Sequence, residues 1–472
     1  MISFSVNRNL PVPLIRQVYE HIRNQIISGT LQPDDKIPSS RELAQMLTVS
    51  RNVILEAYQL LIMEGYVISK PHSGTYVAKL IGTYNYDKQN NLRESRAKQS
   101  YTGNNSGQSI IDLRTGIPAL ENFPIKKWAK FRNDIFLDSP HSLMSYSPGT
   151  GIFELKEAIS KYLLKIRGLQ CNPQQIIITN CSIQSFSLLT QFLTSGNKQY
   201  IIEDPCHIEI KRTIAQVNNN FISVGVDEEG ILTDKLPKNI QPAYIMTTPS
   251  HQYPTGAIMS ARRRLQLIDY AIKYKTYIIE DAYDSEFGYN SHPLTTLAAL
   301  APQQVIYAGT FSKILFPGIR IAYVILPDHL IKTFSQYKRY SDYFNNVYDQ
   351  LALAQFIEDG LLDKHIFRMH KIYRKKRDIL IQSLNEEFND KIQILGASTG
   401  LHLMVRFQDV YLNDEILKKC QESGILLHPA YLYAHDKKYP HNLLPIGYSH
   451  LDLANIPHII KNLHKLLSAF SG

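Results

Sequence analysis

The chain has 472 residues, of which 44% are hydrophobic and 20% charged, with a formal net charge of +9, the balance of a globular protein of two or three domains and not of a disordered or fibrous one. No apolar run approaches the ~18–20 residues of a spanning helix, the opening Met1-Ile-Ser-Phe-Ser-Val-Asn-Arg8 lacks a signal peptide's apolar segment, and Cys171, Cys181, Cys206 and Cys420 have no C-x-x-C spacing. A membrane carrier, a disulfide scaffold and a zinc site are thereby set aside; a cytoplasmic protein with free thiols, no metal and a polyanionic partner such as nucleic acid is expected.

In chain order, Leu14, Ile15, Val18, Tyr19, Ile22, Ile26 and Ile27 recur at helical spacing and predict an amphipathic first helix stopping at Gly29. Ser39 followed by Glu42 is a capping box, predicting a short second helix to about Leu47. Thr48-Val-Ser50 turns into a third helix that begins at Arg51 and is closed by Gly65. Tyr66–Lys70 and Gly74–Ala78 then flank Pro-His-Ser as a hairpin. Three helices and a hairpin make a winged helix-turn-helix, whose third helix enters the major groove by its first residues. Ser50, Arg51 and Asn52 occupy that place; Ser39 and Arg41 open the second helix, where Arg41 meets phosphate, and Lys70, His72 and Ser73 form the wing tip. Residues 1–80 are therefore expected to bind double-stranded DNA. Leu-Gln-Pro-Asp-Asp-Lys-Ile-Pro-Ser-Ser-Arg-Glu-Leu-Ala, Val-Ser-Arg-Asn and Glu-Gly-Tyr followed by Gly-Thr-Tyr-Val resemble the GntR-type winged-helix domain.

Residues 81–109, rich in Asn, Gln, Ser, Lys and Tyr, are expected to be a flexible linker.

From residue 110 to 472, short β-rich runs alternate with amphipathic stretches and predict an α/β domain with a mostly parallel sheet covered on both faces, followed by a smaller C-terminal lobe. In such sheets ligands bind at the strands' carboxyl ends. Asp281 ends the run Tyr277-Ile-Ile-Glu, and Lys313 follows the run Val305–Gly309 in Thr310-Phe-Ser-Lys, with Arg320 behind it in Pro-Gly-Ile-Arg. A lysine to form an imine with an aldehyde, a carboxylate to hold a ring nitrogen, and a guanidinium fork for a phosphate together point to pyridoxal 5′-phosphate. Thr310 and Ser312 add hydroxyls, Ser182 and Ile183 open a helix whose N–H groups suit the phosphate, Tyr283 suits the ring oxygen, His207 suits stacking on the ring, and Tyr253 is expected among the cofactor-binding residues.

Thr-Pro-Ser-His-Gln-Tyr-Pro-Thr-Gly, Ile-Glu-Asp-Ala-Tyr-Asp-Ser-Glu-Phe and Gly-Thr-Phe-Ser-Lys with Pro-Gly-Ile-Arg resemble the fold-type I aminotransferases, in the version found in MocR/GabR-type transcription regulators. The resemblance implies that Lys313 is the imine lysine, Asp281 the ring-nitrogen acid, Tyr283 the ring-oxygen tyrosine and Arg320 the phosphate arginine, in a head-to-tail homodimer. It also draws attention to departures: His450 where the substrate-carboxylate arginine is expected, Glu209 beside His207, Cys181 in the phosphate loop, and Tyr253 where transaminases carry asparagine. These imply a pocket that keeps the cofactor and grips a carboxylate substrate weakly, hence no catalytic residues. The expectation is a non-catalytic regulator that senses pyridoxal phosphate through Lys313 and controls vitamin B6 synthesis genes. The alternatives are a regulator sensing an amine or amino acid by transimination, and a working aminotransferase.

Overall fold

The computed structural model describes residues 4–71, 73–79, 110–138, 144–289 and 295–469. The expected linker and wing residue His72 lie outside them. The chain forms two compact units, Met1–Asn105 and Ser106–Gly472.

The first unit is built from α1 (Leu14–Ile27), β1 (Lys36–Ile37), α2 (Ser40–Leu47), α3 (Arg51–Met63), β2 (Val67–Lys70) and β3 (Gly74–Val77). Val18, Tyr19, Ile22 and Ile26 line one face of α1 and bury against Leu43 and Leu47 of α2 and Ile54, Tyr58 and Leu61 of α3, the three-and-four spacing that lets a helix hide one stripe. Gly29, at φ +75°, ends α1's turn where a side chain would be strained. The expected capping box forms: Glu42 N donates to Ser39 Oγ at 3.3 Å and Ser39 N donates to Glu42 Oε2 at 2.8 Å, a cap worth about 1 kcal/mol. The hairpin is joined by β1, a strand too short to be read from sequence, which pairs antiparallel with β3 (Lys36 opposite Tyr76).

The second unit begins with β4 (Ile111–Asp112) and continues through the eight strands of the main sheet: β5 (Ile176–Thr179), β6 (Tyr200–Asp204), β7 (Phe221–Asp227), β8 (Gly230–Ile231), β9 (Tyr244–Thr247), β10 (Tyr277–Ala282), β11 (Val305–Thr310) and β12 (Ala322–Ile325). Their order is β5-β12-β11-β10-β9-β6-β7-β8. The sheet is parallel except at β12, which runs antiparallel to both β11 and β5, and at the edge strand β8, antiparallel to β7. The apolar runs hold successive residues on opposite faces. Ile178, Ile201, Ile245 and Ile278 enter one core, while Ile177, Ile202, Met246, Ile279 and Ile306 enter the other. Both faces are covered, so the strands can be continuously apolar.

The smaller lobe has a sheet of β13 (Ile392–Leu395), β14 (His402–Phe407) and β16 (Leu443–Gly447), with its own core packed by the Leu361–Phe388 and Ile456–Ser468 helices. β15 (Ile425–Leu426) pairs parallel with β4. The first described residues of the unit are thereby built into the lobe that the last ones form, which brings Thr115 and Gly116 to the carboxyl ends of the main sheet's strands. No helix among the described residues is long and apolar enough to cross a membrane.

Candidate functional site

The parallel strands of the main sheet end at one cavity. Its lining includes Thr115 and Gly116 after β4, Cys181, Ser182 and Ile183 after β5, Glu203, Cys206 and His207 at the end of β6, Thr247, Thr248 and Tyr253 after β9, Asp281 and Tyr283 at the end of β10, and Thr310, Ser312, Lys313 and Arg320 after β11. Every residue that the sequence nominated for the cofactor, Lys313, Asp281, Tyr283, Arg320, Ser312, Thr310, Ser182, Ile183, His207 and Tyr253, borders it.

Lys313 Nζ donates to Gly116 O at 2.8 Å. Burial pulls its pKa down, opposed by Asp284 and Asp281, so a neutral amine is easier to reach than on an exposed lysine. Gly116, at φ +74°, allows this approach: a Cβ there would stand 3.1 Å from Nζ. Asp281 is 5% exposed and has no hydrogen-bond partner among the described residues. Burial, then Asp284 and Glu203, raises it to about 8 against the pull of Lys313. Glu203, fully desolvated beside it, is by contrast saturated: Thr248 N and Oγ1 and Gln252 Nε2 donate to it at 2.7–3.3 Å, and the Thr247 hydroxyl donates as well.

Arg320 has a backbone φ of +52°, is exposed, and has no hydrogen bond or ion pair among the described residues. The Ser182–Leu193 helix starts nearby after Cys181, which caps it with no side-chain hydrogen bond, leaving its first N–H groups for a ligand. The Thr310 hydroxyl accepts from Ser312 N at 3.2 Å. His207 lies with its ring 5.0 Å from that of Tyr253; burial, with Lys313 adding to it, lowers its pKa to about 4, so it is a neutral flat ring. Tyr253 shares a 2.8 Å hydrogen bond with Thr115 Oγ1.

Two expectations are corrected. His450 is not at the cavity: its Nε2 lies 2.7 Å from Asp112 O, with which it is compatible as donor. Glu209 points away and pairs with Arg212 at 3.6 Å, both more than half exposed. Polar groups of the lining that the sequence did not nominate include Thr115, Gly116, Glu203, Lys211 and Thr247. Lys211 follows His207 by one helical turn, a spacing that was readable; Thr115 and Gly116 arrive through the β4–β15 pairing, which was not.

On the winged unit, Ser39, Arg41, Ser50, Arg51, Asn52, Lys70 and Ser73 are all exposed. Arg51 Nε reaches Ser40 Oγ at 3.3 Å. The wing tip is organised by Tyr76, which sequence reasoning missed: Ser73 Oγ lies 2.7 Å from its hydroxyl and Lys70 Nζ 4.5 Å from its ring centroid.

The comparisons agree with this two-part construction. Residues 14–77 match the family described as bacterial regulatory proteins, gntR family, and residues 108–463 the family described as aminotransferase class I and II. The chain is 34% identical to the HTH-type transcriptional regulator YdeL of Bacillus subtilis (strain 168), over 97% of each chain. It is 30% identical to the probable rhizopine catabolism regulatory protein MocR of Rhizobium meliloti, over 90% of this chain and 88% of that one, and 29% identical to the HTH-type pyridoxine biosynthesis transcriptional regulator PdxR of Corynebacterium glutamicum, over 86% and 85%. Among solved structures, an archaeal alanine:glyoxylate aminotransferase superposes with a TM-score of 0.71 at 26% identity, over 77% of this chain and 92% of that one.

Pyridoxal 5′-phosphate is the cofactor of this fold, and the cavity fits it: a buried carboxylate and a guanidinium that have no partner among the described residues, an open helix start and a desolvated amine, all lining one cavity, are what its ring nitrogen, phosphate and aldehyde require. With a GntR-type winged helix in front of a class I and II aminotransferase domain, the chain belongs to the MocR-type transcriptional regulators.

Proposed function

We propose that the protein is a DNA-binding regulator whose aminotransferase-type domain works as a sensor of pyridoxal 5′-phosphate, with Lys313 as the covalent attachment point and genes of vitamin B6 synthesis as its targets. The observation that carries this reading is the match between the unpartnered polar groups of the cavity and the cofactor alone. Asp281 would hold the ring nitrogen, Tyr283 the ring oxygen, and Arg320, with Thr310, Ser312 and the N–H groups of Ser182 and Ile183, the phosphate. His207 would stack on the ring, with Tyr253 beside it. Bound there, the cofactor supplies an aldehyde carbon and an electron-accepting ring.

What remains in the cavity grips a further anion poorly. Arg320 is the one arginine that borders it among the described residues, and Lys211 already donates to Tyr433 O at 3.2 Å. This, and not His450 or Glu209, is the support for a regulator without turnover. The identities with regulators named for pyridoxine biosynthesis and for rhizopine catabolism are nearly equal, so the cavity is the stronger ground for naming the effector. Occupancy would act as a population shift, favouring one state of the DNA-binding form by differential affinity.

A second reading is favoured by Arg114. It lies close enough to Lys313 to depress its pKa and is more than half exposed while paired with Asp112 at 3.1 Å. An amino-acid effector could draw it from that pair and displace Lys313 from the cofactor.

On the winged unit, Arg51, Ser50 and Asn52 would meet base edges, Arg41 with Ser39 the phosphate backbone, and Lys70, His72 and Ser73 the backbone or the minor groove. Self-association as a homodimer is supported by exposed Ile125, Phe136 and Leu137 on the Ile125–Asp138 helix.

The test is operator occupancy by footprinting on the DNA upstream of the protein's own gene, with no cofactor, with pyridoxal phosphate, and with pyridoxal phosphate plus a panel of amines and amino acids. Equal occupancy with and without saturating cofactor refutes the sensor. Rapid conversion of the cofactor to its amine form by a common amino acid refutes the non-catalytic reading.

A further inference from the structure

Two residues before the Ser182–Leu193 helix, Asn180 is held from two directions by a polar network to which nothing above assigns a task. Asn180 N donates to Gln184 Oε1 at 2.7 Å, and Asn180 Oδ1 accepts from Asn345 Nδ2 at 2.8 Å. Both holders lead to one ammonium. Lys338 Nζ, on a side chain 0% exposed, donates to Asn345 Oδ1 at 3.0 Å, to Gly149 O at 2.8 Å and to the two Asp342 oxygens at 2.9 and 3.2 Å. Gln184 Nε2 donates to Asp342 Oδ2 at 2.8 Å.

Groups with fixed roles orient both amides that grip Asn180. An ammonium only donates, so the oxygen of Asn345 must face Lys338, and its nitrogen is left to donate to Asn180. A carboxylate only accepts and a backbone N–H only donates, so Gln184 fits between Asp342 and Asn180 in one orientation. The backbone is bent to reach this arrangement. The Asp328–Asp342 helix ends at Tyr343, at φ +63° and ψ −72°, where Phe344 N donates to Asp342 O at 2.8 Å, a γ-turn of the rare kind with positive φ. A residue other than glycine stays in such a conformation only where its surroundings impose it, and such residues gather at ligand clamps. Gly149 lets the turn close down, since a Cβ there would stand 2.8 Å from Tyr343 O.

We propose that Lys338, Asp342, Asn345 and Gln184 are positioning residues for the cofactor's phosphate: by fixing Asn180 they fix the N–H groups of Ser182 and Ile183, and so set the cavity's preference for the phosphorylated aldehyde over pyridoxal itself. The inference rests on the cofactor reading above and deepens it. None of the four is in the cavity lining, whereas Cys181, Ser182 and Ile183, which follow Asn180 directly, are. Hydrogen bonds weaken steeply with distance and angle, so a loosened Asn180 is felt at the phosphate and not at the aldehyde, which Lys313 approaches from the end of β11.

The test uses the full-length protein and two readouts: the dissociation constant of pyridoxal 5′-phosphate, followed by its visible band, and the yield of pyridoxal attached to Lys313 after borohydride reduction, read by mass spectrometry. Gln184→Met and Asn345→Ala keep the ammonium with its carboxylate and each remove one hold on Asn180. Each should weaken pyridoxal 5′-phosphate about tenfold, the size of one hydrogen bond, and leave the pyridoxal yield at its wild-type level. Lys338→Met combined with Asp342→Asn, which removes the buried cation and its counter-charge together, should weaken pyridoxal phosphate at least as much as either. Equal losses for the ligands with and without phosphate, or a lower unfolding midpoint with wild-type affinity, would make the network structural only and overturn the proposal. A wild-type protein that gains no visible band, or that attaches pyridoxal as readily as its phosphate, would overturn the cofactor reading instead.

Discussion

Asp281 makes the cofactor-free protein sensitive to pH in a way that the bound form should lose. Its carboxyl, ordinarily near 3.8, is raised to about 8, first by burial and then by Asp284 and Glu203. A group whose folded-state pKa lies above its unfolded value contributes stability that is complete below about pH 4 and is lost as pH rises through 8, because the unfolded chain releases a proton that the folded chain must keep. Where only the unfolded form is ionised, the slope approaches about 1.4 kcal/mol per pH unit, so between pH 6 and 8 the cofactor-free large unit should lose about 2 kcal/mol from this carboxyl. A protonated pyridine nitrogen against Asp281 reverses the sign of its surroundings and restores the carboxylate. Asp281→Asn cannot ionise and should flatten the slope without cofactor. The assay is urea unfolding at pH 6, 7 and 8 with and without pyridoxal phosphate, followed by fluorescence of Trp128, the chain's single tryptophan, which is buried within the large unit and reports on it alone. Equal pH slopes for wild type and Asp281→Asn in the absence of cofactor would refute the reasoning.

Arg320→Gln removes a cation that has no other partner among the described residues, so it should weaken pyridoxal phosphate by about 10- to 100-fold, the range of a charge-assisted hydrogen bond, with little change in the unfolding midpoint of the empty protein; equilibrium dialysis and unfolding measure the two. Lys313→Ala should abolish the covalent absorbance band while operator binding without cofactor persists; a retained band would identify another lysine. Arg51→Ala, at the exposed start of α3, should cost operator binding about 1–3 kcal/mol and relax sequence preference, whereas a uniform loss on all DNA, with a reduced salt slope, would make it a phosphate contact.

Much of this architecture was legible because the decisive signals are local. The run Ile176-Ile-Ile-Thr, the capping box at Ser39 and Glu42, and the lysine following Gly309-Thr-Phe-Ser depend on neighbours in sequence, and strand-end positions in a parallel sheet converge whatever the helices between them do. What escaped was the product of long-range pairing. β1 is two residues long and exists because β3 offers it an edge. Gly116 reaches Lys313 because β4 pairs with β15, more than three hundred residues away. His450 was assigned by its place after a strand, but the direction of its side chain was decided by the Asp112 carbonyl that this same pairing brings to it. The antiparallel β12 also reads like its parallel neighbours, since burial on both faces erases the pattern that would distinguish it.

The same features that hold the cofactor suit a sensor better than they suit a container. A ligand moves an equilibrium only by the difference in its affinity for two states, so the empty state must differ in energy from the filled one. Here Asp281 is a buried carboxyl with no hydrogen-bond partner among the described residues and Lys313 a desolvated amine, two groups whose electrostatic deficits one molecule would remove together. Asp284, three residues after Asp281, accepts from the backbone N–H of Leu401 in the smaller lobe. Filling the cavity would therefore change the forces on a segment that is hydrogen-bonded to that lobe.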